Sequence, residues 1–332
     1  MKAMILPGAA PVEDAPLQLQ KIPVPVPGTA ELLLEVKACG ICRTDLHIIE
    51  GELPPSKSPL VPGHQIVGVV KEAGAKVTGF KVGDRVGVPW LHWACGQCYF
   101  CRRGQENLCE AARFTGYDVD GGFAEYTLVS QDFAYSLPPN FSDEQAAPLL
   151  CAGIIGYRAL RLAGVGRGER LGMYGFGASA HVTIQVAGHR GNEVFVVTRK
   201  EKHRQLARQL KAAWVGGEDD IPPAKLDGAI IFAPAGPIVP QALAALRKGG
   251  TLVLAGIYMT PIPEMNYQLL YHERVIRSVA NYTRQDAKEL LQLAGEIPIK
   301  TQIEVFPLEE ANRALLTLKR DGIKGAGVLK VG

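Results

Sequence analysis

The stretch 170–180 constrains the fold more than any other part of the chain. A short apolar strand, RLGMY, runs into Gly175-Phe176-Gly177-Ala178-Ser179-Ala180, and a helical pattern, ASAHVTIQVAGH, follows at once. A G-x-G-x-x-A turn between strand and helix suits a dinucleotide. Gly175 permits the tight turn, Gly177 lets the backbone approach a pyrophosphate, and Ala180 is small enough for helix and strand to pack closely. The helix N-terminus offers unpaired N–H groups to the phosphates. Glycine-rich turns also occur with no ligand, but this one opens a longer alternation: strand EVFVVT, helix KEKHRQLARQLKA, strand GAIIFA, helix IVPQALAALRK and strand TLVLAG. Apolar strands alternating with helices make βαβ units and a parallel sheet covered on both faces.

The remainder reads differently. At 332 residues the chain has room for about two domains. As far as about residue 135, β-prone runs (ELLLEVKA, HQIVGVVKEAG, DRVGVPW, FAEYTLVS) are separated by turns, and Gly63, Gly68, Gly74, Gly79, Gly83 and Gly87 crowd one stretch. That spacing suits a barrel-like set of strands with bulges and corners. SDEQAAPLLCAGIIGYRALR reads as a helix capped by Ser142 and broken at Pro148 and its two glycines. The tail, with two helices and two strands, is expected to return to the first domain. The expected division is 1–152, 153–282 and 283–332. Apolar residues at 47% and charged residues at 21% exclude wholesale disorder. A net charge of +3 without a Lys/Arg block gives no reason to expect a nucleic-acid partner. No apolar run approaches the ~18 residues of a membrane span, and MKAMILPGAAPVED has no signal-peptide h-region, so a cytoplasmic protein is expected.

Seven cysteines, an odd number with no sign of secretion, favour metal or redox chemistry over a disulfide framework. Cys95, Cys98, Cys101 and Cys109 lie within one short loop, the spacing of a closed tetrahedral zinc site with no open position. An iron–sulfur cluster competes for the same spacing. Cys42 in CGICRTDLH, His64 in PGHQ and Cys151 in LLCAG are scattered. Taken singly, His64 reads as a core or loop histidine and Cys151 as a small buried residue.

Taken in order, CGICRTDLH, PGHQIVGVV, the four-cysteine lobe, the cysteine after the domain junction and GFGASA resemble the zinc-containing alcohol dehydrogenases of the medium-chain dehydrogenase/reductase superfamily. The resemblance covers essentially the whole chain. It implies an α/β protein, a Rossmann cofactor domain plus a GroES-like β-rich catalytic domain. Cys42, His64 and Cys151 then resemble catalytic zinc ligands; two cysteines and a histidine are the known set of alcohol dehydrogenase and come with the resemblance. Arg43 resembles the residue on the cofactor pyrophosphate, and Thr44 the hydroxyl that hands on the substrate proton. Asp45 resembles the carboxylate that orients His64, and His47 the outer end of a relay through the cofactor ribose. The implied chemistry is reversible hydride transfer between an alcohol and NAD(P), with zinc as Lewis acid on the alcohol oxygen. Two zinc ions per subunit are expected, one catalytic and one structural.

The chain departs from the family at Gln65, where an acid usually follows the zinc histidine. Cys39 is an additional cysteine, and Cys39-Gly-Ile-Cys42 alone could be a redox dithiol. Trp90, ahead of the cysteine lobe with Trp93, is a candidate wall of the substrate cleft; plain core aromatics are the alternative. Two other function classes compete: a zinc-free medium-chain quinone or enoyl reductase, and a non-enzymatic zinc- or nucleotide-binding protein. At the end of the second Rossmann strand Thr198 stands where an NAD enzyme carries an acid, and Arg199, Lys200 and His203 follow. NADP is therefore the preferred cofactor and NAD the alternative. By resemblance a homo-oligomer is expected, a tetramer or dimer, with IYMTPIPEM as the covered or paired edge of the Rossmann sheet.

Overall fold

Apolar runs punctuated by glycine and proline turns give the stretch up to Ser136 nine strands in the computed structural model, which describes all 332 residues. These are β1 (Lys2–Ile5), β2 (Gln18–Lys21), β3 (Glu31–Ile41), β4 (Gln65–Ala73), β5 (Arg85–Val88), β6 (Leu91–Trp93), β7 (Arg113–Phe114), β8 (Tyr126–Ser130) and β9 (Tyr135–Ser136). β3 is the spine. Its first half pairs β8, its far half pairs a C-terminal strand, and β4 runs antiparallel along its other edge. Register shifts at Leu33/Leu34 and Val36/Ala38 bend it, as bulges do in curved sheets. β3 delivers the chain to Cys42 and helix α1 (Arg43–Ile49), and β4 begins one residue after His64. Because Gly40 faces Gln65 across the ladder, sheet pairing brings Cys42 and His64 together.

Helix α2 (Asp143–Ala146), capped by Ser142 with Gln145 completing a capping box, passes into a 3-10 turn at Ala147–Leu150. The helical trace stops at Cys151 (φ −131, ψ −69) and resumes as α3 (Ala152–Ala163). The α-helix thus gives way to the tighter turn just before Pro148, as expected, but the full break is at Cys151 and not at the glycines, since Gly153 and Gly156 lie within α3.

Residues Ala152–Tyr282 form one compact unit, and Met1–Cys151 with Thr283–Gly332 form the other. The first holds six parallel strands, β10 (Arg170–Tyr174), β11 (Glu193–Val197), β12 (Trp214–Gly216), β13 (Leu226–Ile231), β14 (Leu246–Leu254) and β15 (Val275–Ser278). Their spatial order is β12-β11-β10-β13-β14-β15, the 3-2-1-4-5-6 order of a dinucleotide-binding Rossmann sheet. Helices α4 (Ala178–His189), α5 (Glu201–Gln209) and α6 (Ile238–Ala245) connect them. β10, β11 and β13, and the end of β14 (Leu252–Leu254), carry near-continuous apolar runs because both faces are covered. The IYMTPIPEM segment contains no strand. The sheet edge is β15, further along the chain, and Pro261 and Pro263 deny the earlier segment the N–H groups a ladder needs.

The tail, with α7 (Arg284–Glu296), β16 (Ile303–Pro307), α8 (Ala311–Lys319) and β17 (Ala326–Lys330), rejoins the N-terminal unit. β17 is the strand that pairs the far half of β3, and β16 runs parallel to β17. No single helix is long and apolar enough to cross a membrane.

Gly175 carries the sharpest local constraint. Its φ is +87, and a Cβ there would lie 2.9 Å from the Ala233 nitrogen, in the turn after β13. Gly175→Ala is expected to cost roughly 1–3 kcal/mol of stability and to weaken dinucleotide binding. An unchanged thermal midpoint would show that the turn tolerates a side chain.

Candidate active site and the cysteine lobe

Asp45 organises the first site. It lies in the first turn of α1 and is fully buried. Its Oδ2 accepts from the Cys42 backbone N–H at 2.8 Å, closing a capping box in which the Cys42 sulfur accepts from the Thr44 N–H at 3.3 Å. Its Oδ1 lies 3.1 Å from His64 Nδ1. A carboxylate oxygen only accepts, so His64 Nδ1 carries a proton and Nε2 is turned the other way. That nitrogen is 3.3 Å from Cys42 Sγ, and the Cys151 sulfur completes a group whose three donor atoms lie within 4.8 Å of one another.

His64 reaches this position through a tight backbone crossing. The Gly121, Gly122 and Phe123 N–H groups donate to the carbonyls of Val61, Gly63 and Pro62 at 2.7, 3.0 and 3.0 Å. A Cβ on Gly121 would lie 2.0 Å from the Gly63 oxygen, so no side chain fits. Trp90 meets the His64 ring edge-on at 4.9 Å between centroids, and Phe114 and Tyr117 pack against Trp90. Sequence reasoning reached Trp90 and missed the other two, which no periodicity marks. Trp93 is exposed.

The donor set fits a zinc ion. Burial opposes charge on His64, yet the Asp45 carboxylate and the Cys42 sulfur outweigh it and push the imidazole up to about 10. The Cys42 thiol is raised by its hydrogen bond with Cys151, then by burial. The pocket thus favours positive charge and crowds two thiols that only a cation would ionise together. Tetrahedral bonds of about 2.3 Å to sulfur and 2.0–2.1 Å to nitrogen give a donor separation near the one observed.

Thr44 is buried one turn before His47, so the two share a face of α1. His47 Nδ1 meets the Glu52 carboxylate, and the Arg43 guanidinium pairs with Asp321. Neither acid was anticipated. Gln65 is buried, packs against Gly40 and brings no carboxylate to the site. Cys39 is buried, with its thiol raised by burial and then by the Asp45 charge; this is the opposite of an activated redox thiol.

The second site is the lobe of Cys95, Cys98, Cys101 and Cys109, whose sulfur atoms lie within 4.8 Å of one another. Backbone N–H groups aim at the sulfurs: Cys95 to Cys109, Cys98 to Cys95 and Cys101 to Cys98, at 3.3–3.5 Å. The N–H groups of Gln97 and Cys98 pull the Cys95 thiol down to about 6, while burial and contact with Cys98 push Cys101 up to about 12. The 3.9 Å between the Cys95 and Cys101 sulfurs matches the edge of a tetrahedron around one zinc, about 3.8 Å. An iron–sulfur cluster holds its thiolates on separate irons and further apart.

In the other unit, Gly175 lies at the C-terminal end of β10, donating its N–H to the Val197 carbonyl at 2.8 Å. There β10 is flanked by β11 and β13, the point where strand order reverses. Gly177 is the N-cap of α4, Ser179 lies in its first turn, and Ala180 is fully buried. A Cβ on Gly177 would meet nothing within 4 Å, leaving the approach to the N–H groups open. Phe176 is buried. Thr198 is buried at the end of β11, Arg199 is exposed and His203 half-buried.

A family model described as the alcohol dehydrogenase GroES-like domain matches residues 28–139, and one described as zinc-binding dehydrogenase matches residues 180–296. The chain is 49% identical over 327 residues to the probable alcohol dehydrogenase AdhA of Mycobacterium tuberculosis, covering 97% of this chain and 94% of that protein. A cinnamyl alcohol dehydrogenase from Sorghum bicolor superposes with a TM-score of 0.90 at 30% identity, covering 98% of this chain and 97% of that one. A Helicobacter pylori enzyme solved with NADP(H) superposes at 0.88 and 26% identity, with 99% of each chain covered. Fold and site define a zinc-binding, dinucleotide-dependent dehydrogenase. The chain belongs to the zinc-containing alcohol dehydrogenases of the medium-chain dehydrogenase/reductase superfamily and is an NAD(P)-dependent alcohol dehydrogenase. The zinc-free reductase and non-enzymatic readings fall with that membership.

Asp45→Ala removes a helix cap and the partner of His64 together. It is expected to destabilise the protein by about 3 kcal/mol and to weaken zinc binding roughly 10–100-fold. Chelator competition and thermal unfolding read both.

Proposed function

We propose that Cys42, His64 and Cys151 hold a catalytic zinc and that Cys95, Cys98, Cys101 and Cys109 hold a structural one, two ions per subunit. The observation that carries this is the contrast of donor sets: one lobe presents four thiols, the other two thiols and one oriented imidazole, which leaves a tetrahedral ion one open position. Zinc supplies Lewis acidity at the alcohol oxygen, and the dinucleotide accepts or gives the hydride. The protein's own groups move the proton. The Thr44 hydroxyl would take it from the substrate and hand it on, through a ribose hydroxyl of the bound cofactor, to the His47 imidazole, which Glu52 holds at Nδ1 and which would pass it to solvent. Trp90, backed by Phe114 and Tyr117, offers an apolar wall beside His64 for the carbon chain of an alcohol or aldehyde.

NADP is the preferred cofactor in this reading, with NAD the weaker one. Thr198 brings no carboxylate to the adenosine ribose, and Arg199 is exposed beside it. The next acid, Glu201, already accepts from Arg204 at 2.8 Å and from Arg208 at 3.1 Å, so it is not poised to accept from ribose hydroxyls. The Gly175–Ala180 turn would hold the pyrophosphate; Arg43, paired with Asp321 here, is the further cofactor-binding cation that the family resemblance implies. We further infer a homo-oligomer, tetramer or dimer, in the cytoplasm; β15, with Val275 exposed at the sheet edge, offers the pairing surface.

One preparation tests the reading. Elemental analysis is expected to find two zinc ions per chain, and sedimentation at micromolar concentration an oligomer. Cys98→Ser should damage folding, whereas Cys151→Ser should spare it and abolish turnover. Thr44→Ala is expected to lower kcat at least 100-fold with dinucleotide affinity within about threefold. Near-normal turnover in Thr44→Ala would sink the relay, and one zinc in fully active protein would sink the two-site assignment. For the cofactor, kcat/KM should favour NADP over NAD; a tenfold advantage for NAD overturns that preference.

A further inference from the structure

The turn that joins β11 to α5 contains a cation that neither the motif nor the family membership assigns. Arg204 lies in the first turns of α5, and its side chain is 23% exposed. Its Nη1 donates to the carbonyl oxygens of Thr198 and Arg199 at 3.1 and 2.7 Å, and its Nε donates to Glu201 Oε2 at 2.8 Å. The other Glu201 oxygen accepts from Arg208. These hydrogen bonds, Arg204 first, hold the Glu201 carboxyl below the usual carboxylate range. The same Nη1 lies 3.7 Å from where a Cβ on Gly217 would sit, so the guanidinium also adjoins the turn that leads into Glu218, Asp219 and Asp220. Its planar fork joins two carbonyls and a carboxylate in one place.

We propose that Arg204 is a positioning residue for the adenosine end of the dinucleotide: it fixes the Thr198–Lys200 turn and cancels Glu201, so that Arg199 meets a 2′-phosphate without competition from that carboxylate. This rests on the NADP reading above. Glu201 is the first residue of α5, where the helix dipole favours an acid. An uncompensated carboxylate three residues from Thr198 would repel a phosphate dianion far more than a neutral ribose hydroxyl. The penalty that Arg204 removes therefore falls on NADP and spares NAD. With Nε and Nη1 committed to the protein, Arg204 acts through Glu201 and the turn, and Arg199 makes the contact.

The test is fluorescence titration of the zinc-loaded enzyme with NADPH and NADH. Arg204→Met is expected to weaken NADPH about tenfold and NADH less than threefold. Adding Glu201→Gln should return NADPH to within about threefold of the unmodified protein, because the repelling charge is gone. Arg204→Lys keeps a cation beside Glu201 and should stay within a similar range, which preserves the test if the Met variant does not fold. Equal losses for both nucleotides, a Lys variant as weak as the Met variant, or an NADPH loss that Glu201→Gln does not relieve would each overturn the assignment; the last would make Arg204 a direct phosphate ligand. Failure of the cofactor reading is separate and shows in the unmodified protein, as tighter binding of NADH.

Discussion

One buried carboxylate holds the catalytic unit in order. Asp45 spends one oxygen on the Cys42 N–H and the other on the His64 ring. That arrangement caps α1, ties the end of β3 to the loop before β4 and orients the imidazole. A carboxylate with no exposure is costly to desolvate. Here its charge is met by hydrogen bonds and by an environment that favours a cation. The crossing of Gly63 against Gly121 does for the backbone what Asp45 does for the side chains: it leaves His64 no second place to go.

The two cysteine clusters use sulfur in opposite ways. In the lobe, successive backbone N–H groups point at the sulfurs within a single loop, so the ligands are assembled by local turns. In the other site the donors come from three distant stretches: the end of β3, the loop before β4, and the break between α2 and α3. A local site can form wherever its loop forms. A dispersed one exists only when the sheet has paired in the correct register, since a one-residue slip would turn Gln65 and its neighbours to the other face.

Much was legible in the chain because the signals were local or periodic. The strand–turn–helix at Gly175, the extents of α4 and β10, and the cysteine lobe follow from spacing and apolar pattern. Three features were not. The helical trace stops at Cys151 and not at Gly153 or Gly156, which sit within α3, because a helix interior flanked by packed turns tolerates glycine. The sheet edge is β15 and not IYMTPIPEM, because a strand needs a neighbour and the proline-rich segment cannot supply one. Phe114, Tyr117, Glu52, Asp321 and Arg204 act through contacts that no sequence period announces.

The amino-acid sequence alone determined which chemistry could be present: four clustered thiols, a dinucleotide turn, a histidine and two cysteines, and a threonine and a histidine one helical turn apart. Short-range geometry and residue type are sufficient for those. Tertiary structure decided which of these groups meet and in what state. Only the pairing of β3 with β4 brings Cys42 to His64; only burial with Asp45 orients the histidine ring; and only the fold of the β11–α5 turn shows that Glu201 is held by two arginines. Each of those outcomes depends on distance and desolvation between residues remote in sequence or oriented by the fold, and both are properties of the folded chain.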